Sequence, residues 1–359
     1  MINNTQQPDI ATIHHLLLAA FTVEELDRLF RFSSNPQLQN VAQGFSPGDG
    51  LTMMTDKAIS YCQRHLLLPD LLAEVRRVNP RQYARFLGPD QAEHAPAPPT
   101  PGLALSASDR DALTISHPIA LQLVRVPAGE FLMGSVMARD KNAEEHELPP
   151  HRVYVPGFHI GQYPVTNFQY QTFVKATGHR MPRHLEQGTI PGLKVLHPVV
   201  HVSWEDAVAF CDWLRRETQQ PFHLPTEAEW EKAARGTGGR IYPWGGEPPD
   251  EDRCNFNKNI KDTTTIGRYS PQGDSPYGCA DMAGNVWEWC QSRYEPYPYQ
   301  AGDGRENLEA GSGRVLRGGA WYSEPAGVRC AFRAGFERPP RGYRHYGNGF
   351  RVCVAVRQD

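Results

Sequence analysis

The sequence predicts an α+β protein in two parts, a small all-α bundle over residues 1–89 and an irregular mixed domain over residues 116–359. Three observations predict this. Apolar residues recur at spacings of three and four through the first part, the period of amphipathic helices. A stretch of Pro and Ala follows, Ala95-Pro-Ala-Pro-Pro-Thr-Pro-Gly102, which favours extended chain and marks residues 90–115 as a linker. From residue 116 onward, short β-like runs alternate with Gly and Pro turns. The length of 359 residues also suggests more than one domain.

In the first part, Ile10, Ile13, Leu16, Leu17 and Ala20 form one stripe. Thr22 precedes Glu25 by three residues, a capping-box spacing, and Leu26, Leu29 and Phe30 follow on one face. The pattern repeats from Asp49 to Leu67 and from Leu71 to Val78, where Asn79-Pro80 stops it. Four to six short helices result, and no catalytic constellation is visible. His14 and His15 are adjacent, so they face different sides of a helix and make a poor metal pair.

In the second part, the β-like runs include Leu121–Val126, Glu130–Met133, Arg152–Val155 and Gly349–Val356. Three helices stand out. Thr166–Thr177 turns Phe168, Tyr170, Phe173 and Val174 inward. Ser203–Glu217 starts on a capping residue, with Glu205 and Asp206 at its positive end. The third starts at Thr226 and ends at Gly236.

The formal net charge of −3 gives no reason to expect nucleic acid or an anionic membrane as a partner. No apolar run approaches the roughly 20 residues of a membrane span. The first residues lack a basic segment and an apolar core, so no secretion signal is expected. Seven cysteines without a CxxC spacing read as reduced, buried thiols of a cytoplasmic protein, and the lack of paired spacing argues against a zinc site.

The second part carries a series of words in fixed order. They are Val126-Pro-Ala-Gly-Glu-Phe-Leu-Met-Gly134, Tyr163-Pro-Val-Thr-Asn167 and His197-Pro-Val-Val-His-Val-Ser-Trp204. Then come Leu224-Pro-Thr-Glu-Ala-Glu-Trp-Glu231, Tyr242-Pro-Trp-Gly245, Asp281-Met-Ala-Gly-Asn-Val-Trp-Glu-Trp289, Arg317-Gly-Gly-Ala-Trp321 and Gly349-Phe-Arg-Val352. Together they closely resemble the formylglycine-generating enzyme (sulfatase-modifying factor) family over residues 120–356. The resemblance implies a variant C-type lectin fold. Six of the seven tryptophans sit in these words (Trp204, Trp230, Trp244, Trp287, Trp289 and Trp321) and are read as core anchors whose N–H groups need partners.

Members of that family that oxidise a cysteine carry two reactive cysteines just past the Arg-Gly-Gly word, whose thiolates hold copper. Here Ser323 stands where the first would fall, nothing replaces the second, and Cys330 reads as a packed residue. The expectation is therefore no copper and no enzyme, with an oxidase-type enzyme of atypical site as the alternative. Related sulfoxide synthases need a helical domain with an iron-binding His/Glu cluster, and the first part offers only His14, His15 and His65. Ser323 lacks the Gly-x-Ser-x-Gly setting of a hydrolytic nucleophile. The resemblance also implies structural calcium at Gly284, Asn285, Val286 and Glu288, with a second site at Asn255 and Phe256. The alternative is that Asn285 and Glu288 only hydrogen-bond turn amides.

Non-enzymatic proteins similar to this domain include the variable proteins of diversity-generating retroelements, whose mutable side chains sit near the C-terminus. On that resemblance the expected ligand-binding residues are Trp321, Tyr322, Ser323, Glu324, Phe332, Ala334, Phe336, Tyr343, His345 and Tyr346. Arg329, Arg333, Arg344 and Arg351 are expected to hold the loops through backbone carbonyls. The first part resembles, more weakly, effector-associated or death-like adaptor domains of bacterial conflict systems. The combined expectation is a sensor that binds a protein or other macromolecular ligand at its C-terminal face and recruits an effector protein through its helical bundle; a purely structural scaffold is the third reading.

Overall fold

The computed structural model describes residues 10–33, 35–46, 50–64, 67–87, 112–115, 118–185, 190, 194–309, 313–335 and 342–356. The chain divides into two compact units, Met1–Ala104 and Leu105–Asp359.

The first unit is helical: α1 (Ile10–Ala20), α2 (Val23–Arg31), α3 (Pro36–Ala42), α4 (Leu51–Arg64), α5 (Leu68–Val78) and α6 (Pro80–Leu87). The capping box forms as its spacing requires, with the Glu25 N–H donating to Thr22 Oγ1 at 3.3 Å and the Thr22 N–H to Glu25 Oε2 at 2.8 Å. Leu16, Leu17, Leu26, Phe30, Leu71 and Val75 pack into one buried cluster. Pro80 stops α5 and also starts α6, because a proline lacks only an amide that the first helical turn leaves unbonded anyway. No described helix is long and apolar enough to cross a membrane.

The second unit mixes short strands with three α-helices among its described residues. Its strands are β1 (Ala112–Ile115), β2 (Leu121–Val126), β3 (Gly129–Met133), β4 (His151–Val155), β5 (Phe158–Gly161), β6 (Phe222–His223), β7 (Trp287–Arg293), β8 (Arg314–Arg317), β9 (Arg333–Gly335), β10 (Asn348–Gly349) and β11 (Cys353–Ala355). They form a five-stranded sheet β1-β2-β5-β11-β6, a four-stranded sheet β10-β7-β8-β9 and the hairpin β3-β4. Strand β1 lies inside the stretch expected to be linker, where Ala112–Ile115 pair antiparallel with Leu121–Val124. The expected run Gly349–Val356 divides into β10 and β11, which belong to different sheets. Arg351 sits at the crossover and is drawn inward by a buried carboxylate.

The three α-helices are α7 (Asn167–Thr177), α8 (Trp204–Thr218) and α9 (Glu227–Arg235). Thr166, Ser203 and Thr226 each form a full capping box, which fixes all three starts. Helices α7 and α8 and the strand ends bury Tyr170, Phe173, Phe210, Trp213, Trp289 and Phe350 together. Truncating an aromatic at such a position costs about 3–5 kcal/mol. Trp230 and Trp289 are core anchors, while Trp204, Trp244, Trp287 and Trp321 are only partly buried.

Candidate ligand-binding face

Five arginines fix the C-terminal segment. Arg317 donates to Glu231 Oε2 at 2.6 Å, to the Tyr297 hydroxyl at 2.9 Å and to the Cys330 carbonyl at 2.9 Å. Arg333 grips Glu227 with two bonds, at 2.5 and 2.9 Å, and lies 4.0 Å from the Tyr297 ring centroid. Arg329 spans Asp140 and Glu147. Arg351 holds Glu288 bidentately at 2.6 and 2.7 Å. Arg344 does the same to Asp206, at 2.8 and 2.9 Å. Arginine was expected to bond carbonyls here. It bonds carbonyls too, but the carboxylates are the main partners, because a guanidinium taken out of water needs an opposite charge. Glu227 and Glu231 both come from α9, one turn apart, within the Thr-Glu-Ala-Glu-Trp-Glu word. Burial pushes the Glu231 carboxyl upward, but Arg317 and Arg235 hold it below the usual carboxylate range.

On this frame, Gly318 and Gly319 turn the chain at φ +92° and +76°. A Cβ on Gly319 would stand 2.7 Å from the Gly327 carbonyl, so the turn admits little else. The turn delivers Trp321 and Tyr322, whose ring centroids are 5.2 Å apart. The segment Tyr343–Tyr346 is anchored by Arg344. Tyr346 then lies 5.3 Å from Tyr322, 6.0 Å from Trp321 and 4.1 Å from His345, and Tyr343 stacks on His345 at 6.2 Å. Tyr346 is 46% exposed, and the other four are partly exposed.

The polar chemistry of this cluster is set by His345. Its Nδ1 receives the Gly347 N–H at 3.2 Å and lies 3.2 Å from the Tyr322 hydroxyl. Nδ1 is thus the acceptor and Nε2 carries the ring proton. Burial lowers the His345 imidazole, and burial also raises the Tyr322 phenol, so both are neutral near pH 7. The face is an uncharged aromatic surface with a few donors and acceptors, suited to an apolar or aromatic group with a polar edge.

The remaining expected residues fall elsewhere. Ser323 is buried, and its Oγ accepts the Ala320 N–H at 2.9 Å, so the hydroxyl closes the turn and does not face a ligand. Glu324 is exposed beside the short 3-10 turn Pro325–Val328. Phe332 packs on His146 and Trp287, and Ala334 lies against the main core. Phe336 lies outside the described residues. Sequence reasoning left Trp287 out of the face. It reaches the face through its backbone, whose N–H donates to the Gly347 carbonyl at 2.8 Å beside Tyr346, and no local pattern signals that pairing, since the two come from different strands and turns.

The calcium donors do not converge as expected. Both oxygens of Glu288 are taken, by Arg351 and by the Trp230 indole N–H at 2.8 Å. The Asn285 side-chain oxygen accepts the Thr264 N–H at 2.9 Å, and its carbonyl accepts the Trp321 N–H at 3.0 Å. The Gly284 carbonyl accepts the Val286 N–H at 2.8 Å. Asn255 pairs with Gly284 across a bridge and leaves its side-chain oxygen buried without a partner, and Phe256 packs in a small apolar cluster. A cation needs several free oxygens aimed at one point, and here the one carboxylate is already neutralised. The geometry does not fit calcium at this set.

All seven cysteines are buried, and Cys330 lies in the core beside Val315 and Trp230. Burial pushes the Cys330 thiol up to about 12.

Residues 116–356 match the family described as the sulfatase-modifying factor enzyme 1-like domain. The chain is 36% identical over 238 residues to the serine/threonine-protein kinase Pkn1 of Chlamydia pneumoniae, covering 60% of this chain and 36% of that protein. It is 31% identical over 276 residues to a hercynine oxygenase of Mycolicibacterium smegmatis, covering 65% of this chain and 61% of that one. It is 35% identical over 255 residues to the formylglycine-generating enzyme of Streptomyces coelicolor, covering 55% of this chain and 78% of that enzyme. The chain thus spans about a third to three-fifths of the first two. Among solved structures, PvdO of Pseudomonas aeruginosa superposes with a TM-score of 0.55 at 25% identity, over 66% of this chain and 95% of that one. Treponema denticola variable protein 1 does so with a TM-score of 0.55 at 21% identity, over 68% and 99%. The fold is C-type lectin-like. The expectation that the chain is not an enzyme is corrected by the three curated relatives, all of which are named as enzymes. An inference from two missing cysteines is too narrow, since the relatives are named for three different activities. Over the greater part of its length, this chain belongs to the sulfatase-modifying factor enzyme 1-like family.

Proposed function

We propose that the second unit binds a macromolecular ligand, a protein for preference, through the face formed by Trp321, Tyr322, Tyr343, His345 and Tyr346. The observation that carries this is the convergence of two separate segments into one partly exposed aromatic cluster on a frame of buried ion pairs. Rings are rigid anchors that lose little entropy on binding, and interface hot spots favour Tyr and Trp. The same frame would let outward side chains change without loss of fold, as a diversifying retroelement requires. Such an element leaves a near-repeat of the 3′ coding segment differing at template adenines, and sequencing the locus checks that part.

The first unit is the recruiting module of this reading. A groove of about 390 Å³ is lined by Phe21, Leu29, Phe32 and Val78, with Arg28 and Arg77 on its edge. Phe32 is 76% exposed and Val78 46%, an unusual outlay of apolar surface for a small bundle. An effector protein with a complementary apolar ridge is the partner, and Phe32→Glu abolishes its copurification while leaving the helix content unchanged.

The binding reading is tested by panning a phage-displayed random-peptide library against the full chain. Selected peptides lose about 30-fold in affinity for Tyr346→Ala and Tyr322→Phe/Tyr346→Ala, the scale of one hot spot. They keep it for Tyr154→Ala, a similarly exposed tyrosine on β4. Peptides indifferent to both Tyr346 variants, or no selected peptide at all, overturn it. A second reading, oxygen-dependent chemistry by this domain, is favoured by the names of the enzyme relatives. Oxygen uptake with a cysteine peptide or with hercynine tests it.

A further inference from the structure

The five-stranded sheet brings together three side chains that the aromatic face does not use. His223 on β6 is the register partner of Cys353 on β11. Glu229, in the first turn of α9, faces the same point. The donor atoms of His223, Glu229 and Cys353 all lie within 4.8 Å of one another. From this geometry we propose that His223, Glu229 and Cys353 form a zinc site, with water as the fourth ligand.

Three features favour a metal over a simple ion pair. His223 Nε2 stands 3.4 and 3.5 Å from the two Glu229 oxygens, longer than a sound N–H···O bond of about 2.7–3.2 Å. Donors bound tetrahedrally at about 2.1 Å are separated by about 3.4 Å, which is this spacing. The far nitrogen, Nδ1, lies 3.0 Å from the Pro221 carbonyl and donates to it, so Nε2 is the nitrogen that can give a lone pair to a metal once its own proton is displaced. That carbonyl-fixed tautomer is how metal-binding histidines are usually held. Glu229 is steadied in the same way, since one of its oxygens accepts the Thr226 N–H at 2.8 Å. The nitrogen, oxygen and sulfur set suits zinc better than calcium or magnesium.

The charges also balance. Zn²⁺ displaces the Cys353 thiol proton, and the resulting thiolate with the Glu229 carboxylate neutralises the ion, so nothing charged is left over in a largely buried place. Cys353 is fully buried, but the His223 and Glu229 side chains retain 20% and 14% exposure, which opens a way in and room for the water. Of the cations that act on the cluster, Arg215 is occupied by Asp212 at 3.0 Å and by the Phe222 carbonyl at 3.0 Å, and Arg351 is held bidentately by Glu288.

The test uses the full chain, reduced and stripped with chelator, titrated with Co²⁺ and then Zn²⁺. One equivalent of cobalt should bind with release of the Cys353 thiol proton, a thiolate-to-cobalt charge-transfer band and intense tetrahedral d–d bands, and zinc should displace it with no further proton release from that thiol. His223→Gln, at a partly exposed position, should weaken cobalt binding by more than about tenfold. Cys353→Ser should lose the charge-transfer band, and Cys211→Ser should keep it. No cobalt band in the wild-type chain overturns the proposal. So does a band and affinity unchanged in His223→Gln, which holds even where Cys353→Ser fails to fold.

Discussion

Replacing Arg344 by Met tests whether the aromatic arm is held by charge. Arg344 lies between Tyr343 and His345 and makes two bonds to Asp206, at 2.8 and 2.9 Å. Hydrogen bonds to charged groups contribute about 1.5–3 kcal/mol each. The Arg344 side chain is 25% exposed, so the lower end applies. Asp206 keeps the Ser203 N–H at 2.8 Å and His179 at 2.9 Å, so its carboxylate is not orphaned, which trims the loss again. The net expectation is about 2 kcal/mol, or roughly 4–8 °C in Tm for a unit of this size. Urea unfolding followed by tryptophan fluorescence is the assay, because all seven tryptophans fall at residue 204 or later and report the second unit alone.

The pH dependence sharpens this prediction. Burial raises the Asp206 carboxyl, but Arg344, Ser203 and His179 pull it below its ordinary value. A carboxylate depressed in the folded state contributes stability that is full above its unfolded value, about 4, and is lost as pH falls through the folded value. Below that point the wild-type pair is disabled as well, so the gap between wild type and Arg344→Met should close on acidification. Equal urea midpoints at pH 7, or a gap that persists undiminished at low pH, would refute the electrostatic anchoring of the arm.

Other substitutions probe neighbouring links. Gly347→Ala places a Cβ 2.5 Å from the Tyr322 hydroxyl, so it should displace that ring and weaken peptide binding at least tenfold, with a stability loss of about 1 kcal/mol; unchanged binding would detach Tyr322 from the face. Thr22→Ala removes the α2 capping box and should lower the stability of the helical unit by about 1 kcal/mol, seen in far-UV circular dichroism while the tryptophan transition stays put. Ellman's reagent should titrate no thiol within minutes in the native chain and seven in guanidinium, since burial raises Cys62 and Cys330 to about 12 and Cys279 to about 11; any fast native thiol contradicts the packing.

The helices were legible because their signals are local. Thr22 with Glu25, Ser203 with Asp206 and Thr226 with Glu229 sit three residues apart, and each pair forms in the structure. The charged frame was not legible. Arg329 meets Glu147, and Arg333 meets Glu227, across long stretches of chain, and no periodicity couples such partners. The same blindness explains Glu288. Read in its word, it looks like a cation ligand; seen in space, it belongs to Arg351 and Trp230. Strand β1 escaped notice because four residues beside a Pro-rich stretch carry too little pattern, and only pairing with β2 reveals it. The aromatic face was half legible. Tyr322, Tyr343, His345 and Tyr346 do meet, whereas Phe332 and Ala334 from the same segment pack toward Trp287 and the core.

That division within one segment follows from what each side chain replaces. Breaking one of the buried pairs, such as Arg351 with Glu288, leaves a bare charge out of water and costs about 3–5 kcal/mol. Changing an exposed ring such as Tyr346 removes little packing and stays within about 0.5 kcal/mol. Tyr343 sits between these limits, since it stacks on His345 and also lies against the main core. The tolerance to substitution should therefore rise from Arg344 through Tyr343 to Tyr346, three neighbouring positions in a single loop. A saturation library over residues 343–346, sorted for folded chain by protease resistance, reads that gradient directly. Equal tolerance at Arg344 and Tyr346 would mean that the loop is not held by its arginine, and that the aromatic cluster has no fixed platform on which to recognise anything.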